Sequence, residues 1–186
     1  MSTLFEGLAP EREEKRCWRT PPAFLVAVGE RYGRIDLDAA AENAIVAVAP
    51  RFLSPVDDAL GDGAWAERFA PGATGVSAWL NPPYGRDTAT IPGIGRWIDR
   101  AVAEVRGGRL SRLLLLVPEV PDTRWWWTAA SVADEILSVG RISFLRPDGT
   151  PGPTGAPQGY SLFVLRDREP SPGVCSMRRW LWRGRR

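Results

Sequence analysis

Four consecutive residues, Asn81-Pro82-Pro83-Tyr84, follow an apolar run at residues 78–80 and carry the groups that could hold a planar amino group. The apolar run predicts a buried strand. Proline has a fixed φ and no N–H, so the two prolines end the strand and leave a stiff backbone with free carbonyls. The quartet therefore places an amide side chain, a backbone acceptor and an aromatic ring at one edge of a sheet. These groups can form hydrogen bonds with the exocyclic amine of a planar base.

The elements around the quartet predict an α/β protein with a mostly parallel central sheet and an antiparallel strand near the C-terminus. Strands are predicted at 35–38, 75–80, 113–117, 135–139, 141–145 and 160–165, and helices at 21–32, 39–48, 94–105 and 123–132, with 51–77 irregular. The first helix is predicted to begin at Pro21 with Thr20 as its N-cap. In such sheets, ligands bind beyond the carboxyl ends of the strands, where the quartet and Asp38 both lie.

The composition favours one globular domain of the 186-residue chain, since 44% of its residues are apolar. We expect a polar leader at 1–16, a domain at 17–168 and an Arg/Trp-rich tail at 169–186. Membrane spans and a signal peptide are not predicted, which favours the cytoplasm. The chain has no histidine, and Cys17 and Cys175 form neither a disulfide framework nor a zinc site, so we expect no metal. No pattern in the sequence predicts an oligomeric state.

Positive charge is concentrated at the C-terminus, where five of the last nine residues are arginine. They are Arg178, Arg179, Arg183, Arg185 and Arg186. This tail is either a phosphate-binding arm or a frayed end. Arg86, Arg124 and Arg141 are further candidates for phosphate contacts, although each alone is also typical of a solvated surface. The tryptophans at 125–127 favour core packing over base stacking.

Several short blocks occur in a fixed order along the chain. They are Trp18-Arg19-Thr20-Pro21, Leu37-Asp38-Ala39-Ala40, Asp57-Asp58-Ala59-Leu60, Asn81-Pro82-Pro83-Tyr84, Leu116-Val117-Pro118, Asp122-Thr123-Arg124-Trp125-Trp126 and Gly140-Arg141-Ile142-Ser143-Phe144. Over about residues 17–166 this order resembles the phage and prophage DNA N6-adenine methyltransferases, the phage Dam-like family. The resemblance implies an abbreviated Rossmann-like methyltransferase fold, S-adenosylmethionine as methyl donor, and DNA as substrate in a bacterial host cell.

The resemblance also implies catalytic roles for the quartet. Asn81 would accept a hydrogen bond from the adenine N6 amine, and the Pro82 carbonyl would accept a second one. Two acceptors that fit a pyramidal nitrogen favour the transition state over the flat ground state. Pro83 would stiffen the bend, and Tyr84 would stack on the extruded base.

For the cofactor, the resemblance implies a site formed by Thr20, Pro21, Asp38, Ala39, Asp58 and Asn81. Asp38 would pair with the donor's ammonium, but a helix-capping aspartate is the alternative. Helix capping also explains Thr20, and a plain turn explains Asp58. The glycine-rich turn usual in methyltransferases is replaced by three alanines at 39–41, which cannot take the φ > 0 conformations open to glycine.

Other functions remain open from the sequence alone. A quartet of this kind serves any planar amide or amino nitrogen, so protein glutamine, RNA adenine and cytosine N4 are alternative targets. A catalytically silent nucleic-acid-binding relative is a further possibility, because the glycine-rich turn is missing.

Overall fold

The computed structural model describes residues 18–69, 71–88, 92–146, 148–152, 158–166 and 176–183, so the predicted leader lies outside it. The helices are α1 (Pro22–Tyr32), α2 (Trp65–Phe69), α3 (Ile94–Arg106) and α4 (Arg124–Ala130), with a 3₁₀ turn at Pro55–Asp57. The strands are β1 (Leu37–Asp38), β2 (Arg51–Phe52), β3 (Val76–Leu80), β4 (Leu110–Pro118), β5 (Ala133–Gly140), β6 (Tyr160–Leu165) and β7 (Ser176–Arg179).

The seven strands form one sheet in the order β2-β1-β3-β4-β6-β5-β7. Strand β6 is antiparallel to both of its neighbours, and the other strands all run in one direction. The carboxyl ends of these parallel strands therefore meet at a single edge, which we call the carboxyl edge. This topology confirms the predicted mostly parallel Rossmann-like sheet with an antiparallel strand toward the C-terminus.

Helices cover both faces of the sheet, which explains the continuous apolar run of β4. Leu113 and Leu115 pack with α3 and α4 on one face, whereas Leu114 and Leu116 pack with α1 on the other. The inward residues predicted for α3 are all buried: Trp97, Ile98, Ala101, Val102 and Val105. The central strands β3 and β4 are thus fixed from both sides, and their carboxyl ends provide a rigid base for the quartet.

The predicted helix at 39–48 is wrong. This segment forms turns and bends, because the Asp38 carboxylate accepts hydrogen bonds from the backbone N–H groups of Ala40 (3.1 Å) and Val48 (2.9 Å). The N–H of Ala41 is taken by the carbonyl of Leu53 at 3.1 Å. Together, these local and more distant bonds outweigh the helix propensity of alanine, which is only a weak preference.

Three other boundaries differ from expectation. The predicted strand at 141–145 is absent apart from isolated bridges that Leu145 forms with Arg19 and Pro151, because Gly140, at φ 69°, ends β5. The region 51–77, predicted as irregular, contains β2, the 3₁₀ turn and α2. Helix α1 begins one residue later than predicted, at Pro22, with Pro21 as N-cap, so Thr20 does not cap it.

The described part of the tail belongs to the sheet. Strand β7 pairs in parallel with β5, so a frayed end, one of the two alternatives for the tail, is excluded for Ser176–Arg179. A membrane span would need a longer and more apolar helix than any in the described part of the chain.

Candidate active site

The Asn-Pro-Pro-Tyr quartet lies at the carboxyl edge, directly after β3. The preceding strand is buried between β1 and β4, with Trp79 opposite Asp38 and Leu80 opposite Leu115. Pro82 is buried, whereas Asn81, Pro83 and Tyr84 are half-buried. The quartet is therefore held by the sheet while parts of its side chains remain open to solvent.

Asn81 is held through both ends of its amide group. Its Nδ2 donates to the Thr20 hydroxyl at 3.2 Å, and its Oδ1 accepts a short hydrogen bond from the Tyr84 hydroxyl. Thr20 is itself 8% exposed and precedes α1. Two backbone hydrogen bonds between Arg19 and Leu145, at 2.8 and 3.0 Å, hold this segment in place. These contacts fix the direction of the Asn81 carbonyl, which has a second lone pair available.

Tyr84 points its hydroxyl into the protein. Besides the bond to Asn81, this hydroxyl lies 3.3 Å from the carbonyl oxygen of Leu116 at the end of β4. The Tyr84 ring packs near that of Tyr160, with the centroids 6.0 Å apart. Burial, with a smaller contribution from Tyr160, raises the pKa of the Tyr84 phenol well above its usual value. The phenol is therefore protonated at neutral pH and acts as a hydrogen-bond donor.

Asp38 lies at the end of β1, one strand away from the quartet, and is only 4% exposed. Desolvation raises the pKa of its carboxyl to about 6, although the N–H groups of Val48 and Ala40 partly oppose this shift. Each carboxylate oxygen accepts one of these bonds and keeps a further lone pair. Asp38 thus organises the turn that follows it but caps no helix, because residues 39–48 form turns and bends, and its buried carboxyl carries a negative charge at neutral pH.

The turn after Asp38 does not require glycine. Among the described residues, Asp58 is the non-glycine residue with positive φ, so Ala39, Ala40 and Ala41 all adopt φ values open to alanine. Ala39 is fully buried. The missing glycine-rich turn therefore imposes no backbone strain here.

Asp58 lies in the loop after β2, two strands from the quartet, with φ 45°. Its carboxylate turns toward Gly61, where an added Cβ would lie 2.7 Å from Asp58 Oδ2. Arg68 donates to the carbonyl of Asp58 at 2.8 Å and, through short bonds, to those of Asp57 and Asp62. The structure thus holds the Asp58 loop firmly but does not bring it to the quartet.

A buried ion pair, missed in the sequence, supports the same loop. Glu104 is 6% exposed, pairs with Arg100 at 2.5 Å and accepts the Trp65 backbone N–H at 2.9 Å. Arg100 in turn donates to the carbonyl oxygens of Gly61 (2.8 Å) and Gly63. The sequence pattern could have indicated this pair, because Glu104 falls on the apolar inward side of α3 with an arginine four residues before it.

The three candidate phosphate-binding arginines share the carboxyl edge. Arg86, Arg124 and Arg141 follow β3, β4 and β5, respectively, and all are exposed. Trp126 is buried, as predicted for core packing, but its neighbour Trp127 is 62% exposed.

The geometry suits chemistry on an amino nitrogen. The Asn81 amide oxygen is oriented from both sides, and the neighbouring Pro82 supplies a carbonyl on a stiff backbone. Within the described ranges, no three His, Cys, Asp or Glu side chains come together in a group that could hold a metal ion.

Comparisons with known proteins agree on one family. The family model for DNA N-6-adenine-methyltransferase (Dam) matches residues 9–179. The chain is also 26% identical over 168 residues to the DNA N-6-adenine-methyltransferase of Escherichia phage T1. That alignment covers 81% of this chain and 62% of the phage protein, so the chain spans less than two thirds of its relative's length. No solved structure matches the chain. Since the family model covers most of the chain, including every described element, this protein belongs to the DNA N-6-adenine-methyltransferase (Dam) family.

Proposed function

We propose that this protein transfers a methyl group from S-adenosylmethionine to N6 of adenine in DNA, as a phage- or prophage-encoded modification enzyme of the bacterial cytoplasm. The observation that carries the proposal is the half-buried Asn81 amide, fixed by Thr20 and Tyr84 at the carboxyl edge of the sheet. Membership of the family supports adenine N6 as the target. No observation favours glutamine, RNA or cytosine over adenine in DNA.

The residues at the end of β1 fit the proposed donor. A carboxylate that is 4% exposed pays a desolvation cost, and a cationic ammonium beside it would offset part of that cost. We therefore infer that Asp38 binds the donor's ammonium, and that the turn after Asp38, which begins at the fully buried Ala39, borders the donor. Asp58 would contact its adenosine end from the loop after β2, and Thr20, Pro21 and Asn81 would border its methionine end.

The chain's own residues are expected to bind and orient the acceptor. Adenine N6 is a weak nucleophile because its lone pair is delocalised into the ring. Asn81 Oδ1 and the Pro82 carbonyl would each accept a hydrogen bond from one N–H of the N6 amine. This arrangement favours a pyramidal nitrogen, whose lone pair is free to attack the methyl group. The Tyr84 ring would stack on the extruded base. S-adenosylmethionine supplies a methyl group already activated by its sulfonium, so we expect no metal requirement.

Nucleoside analysis of plasmid DNA tests this proposal. DNA from cells that lack other adenine methyltransferases should contain N6-methyladenine when the wild-type protein is expressed and none when Asn81→Ala is expressed. Methylated RNA or protein without methylated DNA would reject DNA as the substrate. Equal N6-methyladenine with both proteins would reject the proposed site.

Thr20 offers a test that separates positioning from cofactor binding. We expect Thr20→Val, which has the same shape without the hydroxyl, to lower kcat about 2- to 10-fold, since one hydrogen bond contributes about 0.5–1.5 kcal/mol. Thr20→Ser keeps the hydroxyl and should restore most of the rate. Steady-state kinetics give kcat, and calorimetry gives the donor Kd. A Kd that rises while kcat is preserved would assign the Thr20 hydroxyl to the cofactor instead of Asn81.

The raised pKa of Asp38 predicts that donor binding depends on pH. Because this pKa is about 6 in the free protein, the carboxyl becomes protonated as pH falls through 6, and the ammonium loses its partner. Below this value the affinity for S-adenosylmethionine should fall by up to about tenfold per pH unit. Calorimetric titrations of the wild type between pH 5 and 8 should show this fall in donor affinity. Asp38→Asn should bind weakly at every pH, and an unchanged pH profile in that variant would contradict the assignment.

The same pKa has a consequence for the free protein. The folded-state pKa of Asp38 lies above its ordinary value of 3.8, so the folded state binds the proton more tightly than the unfolded state. The contribution of this group to stability is therefore largest in acid and declines as pH rises through about 6. Bound donor should offset that decline, because it stabilises the charged form.

A further inference from the structure

The C-terminal arm, defined as residues 176–183, is attached to the edge of the sheet by backbone and side-chain hydrogen bonds. Arg179 is in register with Ser138 of β5, and the Trp180 N–H donates to the Ser138 carbonyl at 2.9 Å. Trp182 Nε1 donates to the carbonyl of Val139 at 3.1 Å. The arm therefore has a defined position relative to the rest of the domain.

Tryptophans anchor the arm to α1. The rings of Trp180 and Trp182 lie 5.8 and 5.0 Å from the fully buried ring of Phe24, and Trp180 also packs against Tyr32 at 6.4 Å. Since these aromatic contacts hold the arm, its arginines are not needed for that purpose.

The arginines of the arm are exposed and have no ion-pair partner among the described residues. Arg178, Arg179 and Arg183 take part in none of the ion pairs of the described part of the chain, and residues 176–183 contain no acidic residue. Arg183 lies over the Trp182 ring at 4.7 Å and donates to the Arg141 carbonyl at 3.4 Å. The arm thus adds positive charge beside an arginine already at the carboxyl edge.

This charge lies on the same edge as the candidate active site. Strand β7 runs parallel to β3 and is separated from it by four strand steps, or about 19 Å at the usual spacing. That separation corresponds to about five or six base pairs along a duplex, at 3.4 Å per pair. Outside the arginine-rich tail, acidic residues outnumber basic ones, so the domain offers phosphates little general attraction.

Resting on the proposed function, we propose that the arm binds the phosphate backbone of duplex DNA that flanks the target adenine, about half a helical turn away. The guanidinium groups would form charge-assisted hydrogen bonds with phosphate oxygens and fix the register of the duplex. Binding by the arm adds affinity without sequence preference, and it depends strongly on salt.

The salt dependence of DNA binding tests the arm. The probe is a fluorescein-labelled 20-base-pair duplex, and the Kd of the protein for it is measured by fluorescence anisotropy at 50 to 200 mM NaCl. The double variant Arg179→Gln/Arg183→Gln should bind more weakly. The negative slope of log K against log salt should become shallower by about 1.8, since each lost phosphate contact removes about 0.9 from its magnitude. The control is Arg34→Gln/Arg106→Gln, which removes the same number of charges from two exposed arginines at the opposite edge, Arg34 being ion-paired with Asp36, and should keep the wild-type slope.

The outcomes separate the arm from the proposed function. An arm variant with the wild-type slope would overturn the arm proposal, while methylation of plasmid DNA by the wild type would leave the function standing. Equal losses in the arm variant and the control would also overturn it, because the effect would then reflect net charge alone. A wild type that neither binds the duplex nor methylates DNA would reject the proposed function itself. Retained donor affinity shows that each variant is folded.

Discussion

Asn81→Ala should lower the rate of methyl transfer by about 10²–10³-fold or more, while the Kd for S-adenosylmethionine stays within about twofold of the wild type. The substitution removes the proposed side-chain acceptor for the N6 amine, and it leaves Asp38 and its turn untouched. Single-turnover methylation of an adenine-containing duplex measures the rate, and calorimetry measures donor binding. The effect should lie in the chemical step, because the lost hydrogen bond matters most when the nitrogen becomes pyramidal.

Asn81→Asp is the matched control for this prediction. It keeps an oxygen acceptor at the same position, and the hydroxyls of Thr20 and Tyr84 can both donate to a carboxylate. It should therefore retain far more activity than Asn81→Ala. Normal turnover by Asn81→Ala would show that the amide is not the acceptor. A large loss of donor affinity in that variant would place Asn81 in the cofactor site instead of the catalytic site.

The buried elements around the site could be predicted from sequence because their patterns are long and periodic. The leucine run of β4 indicates a strand covered on both faces, and the apolar residues of α3 recur at helical spacing. These signals arise from burial, which dominates the free energy of folding. The position of the quartet followed from the same reasoning, since two prolines must end a strand that precedes them.

Local patterns failed where distant contacts determine the backbone. Alanines favour a helix after Asp38, but the carboxylate itself binds the N–H of Val48, ten residues away, and the chain turns back toward β2. The arm is a second case. The sequence left a frayed end open for this tail, whereas Trp180 and Trp182 pack against Phe24 of α1, more than 140 residues away in the sequence.

The hydrogen bonds that orient the site could not be predicted from the residues, although the family resemblance placed Thr20 and Asn81 in one site. Thr20 and Asn81 lie 61 residues apart and meet only because the segment before α1 crosses the carboxyl edge. The absence of glycine after Asp38 suggested a damaged cofactor turn. The structure shows that this turn uses no positive φ, so the best sequence argument for a silent relative loses its physical basis. The N–H groups of Ala40 and Val48 that fix this turn also hold the Asp38 carboxylate, which is buried and charged at neutral pH.

Tyr84→Ala should reduce methylation about 5- to 150-fold at low DNA concentration, because stacking of one base on an aromatic ring contributes about 1–3 kcal/mol. Tyr84→Phe keeps the ring but loses the hydroxyl that donates to Asn81 and lies near Leu116. We expect it to lose only about 2- to 10-fold, the value of one hydrogen bond. Single-turnover rates at several DNA concentrations separate base binding from the chemical step.

The two Tyr84 variants separate the ring from its hydroxyl. If stacking dominates, Tyr84→Ala should weaken base binding, and Tyr84→Phe should mainly lower the rate at saturating DNA through a less firmly held Asn81. Equal losses in both variants would assign the main role to the hydroxyl and leave the extruded base without this stacking partner. Because the phenol pKa lies well above neutrality, the wild-type rate should show no step from Tyr84 between pH 6 and 9, the range of the assay. A titration in that range that vanishes in Tyr84→Phe would mean that the hydroxyl ionises during the reaction.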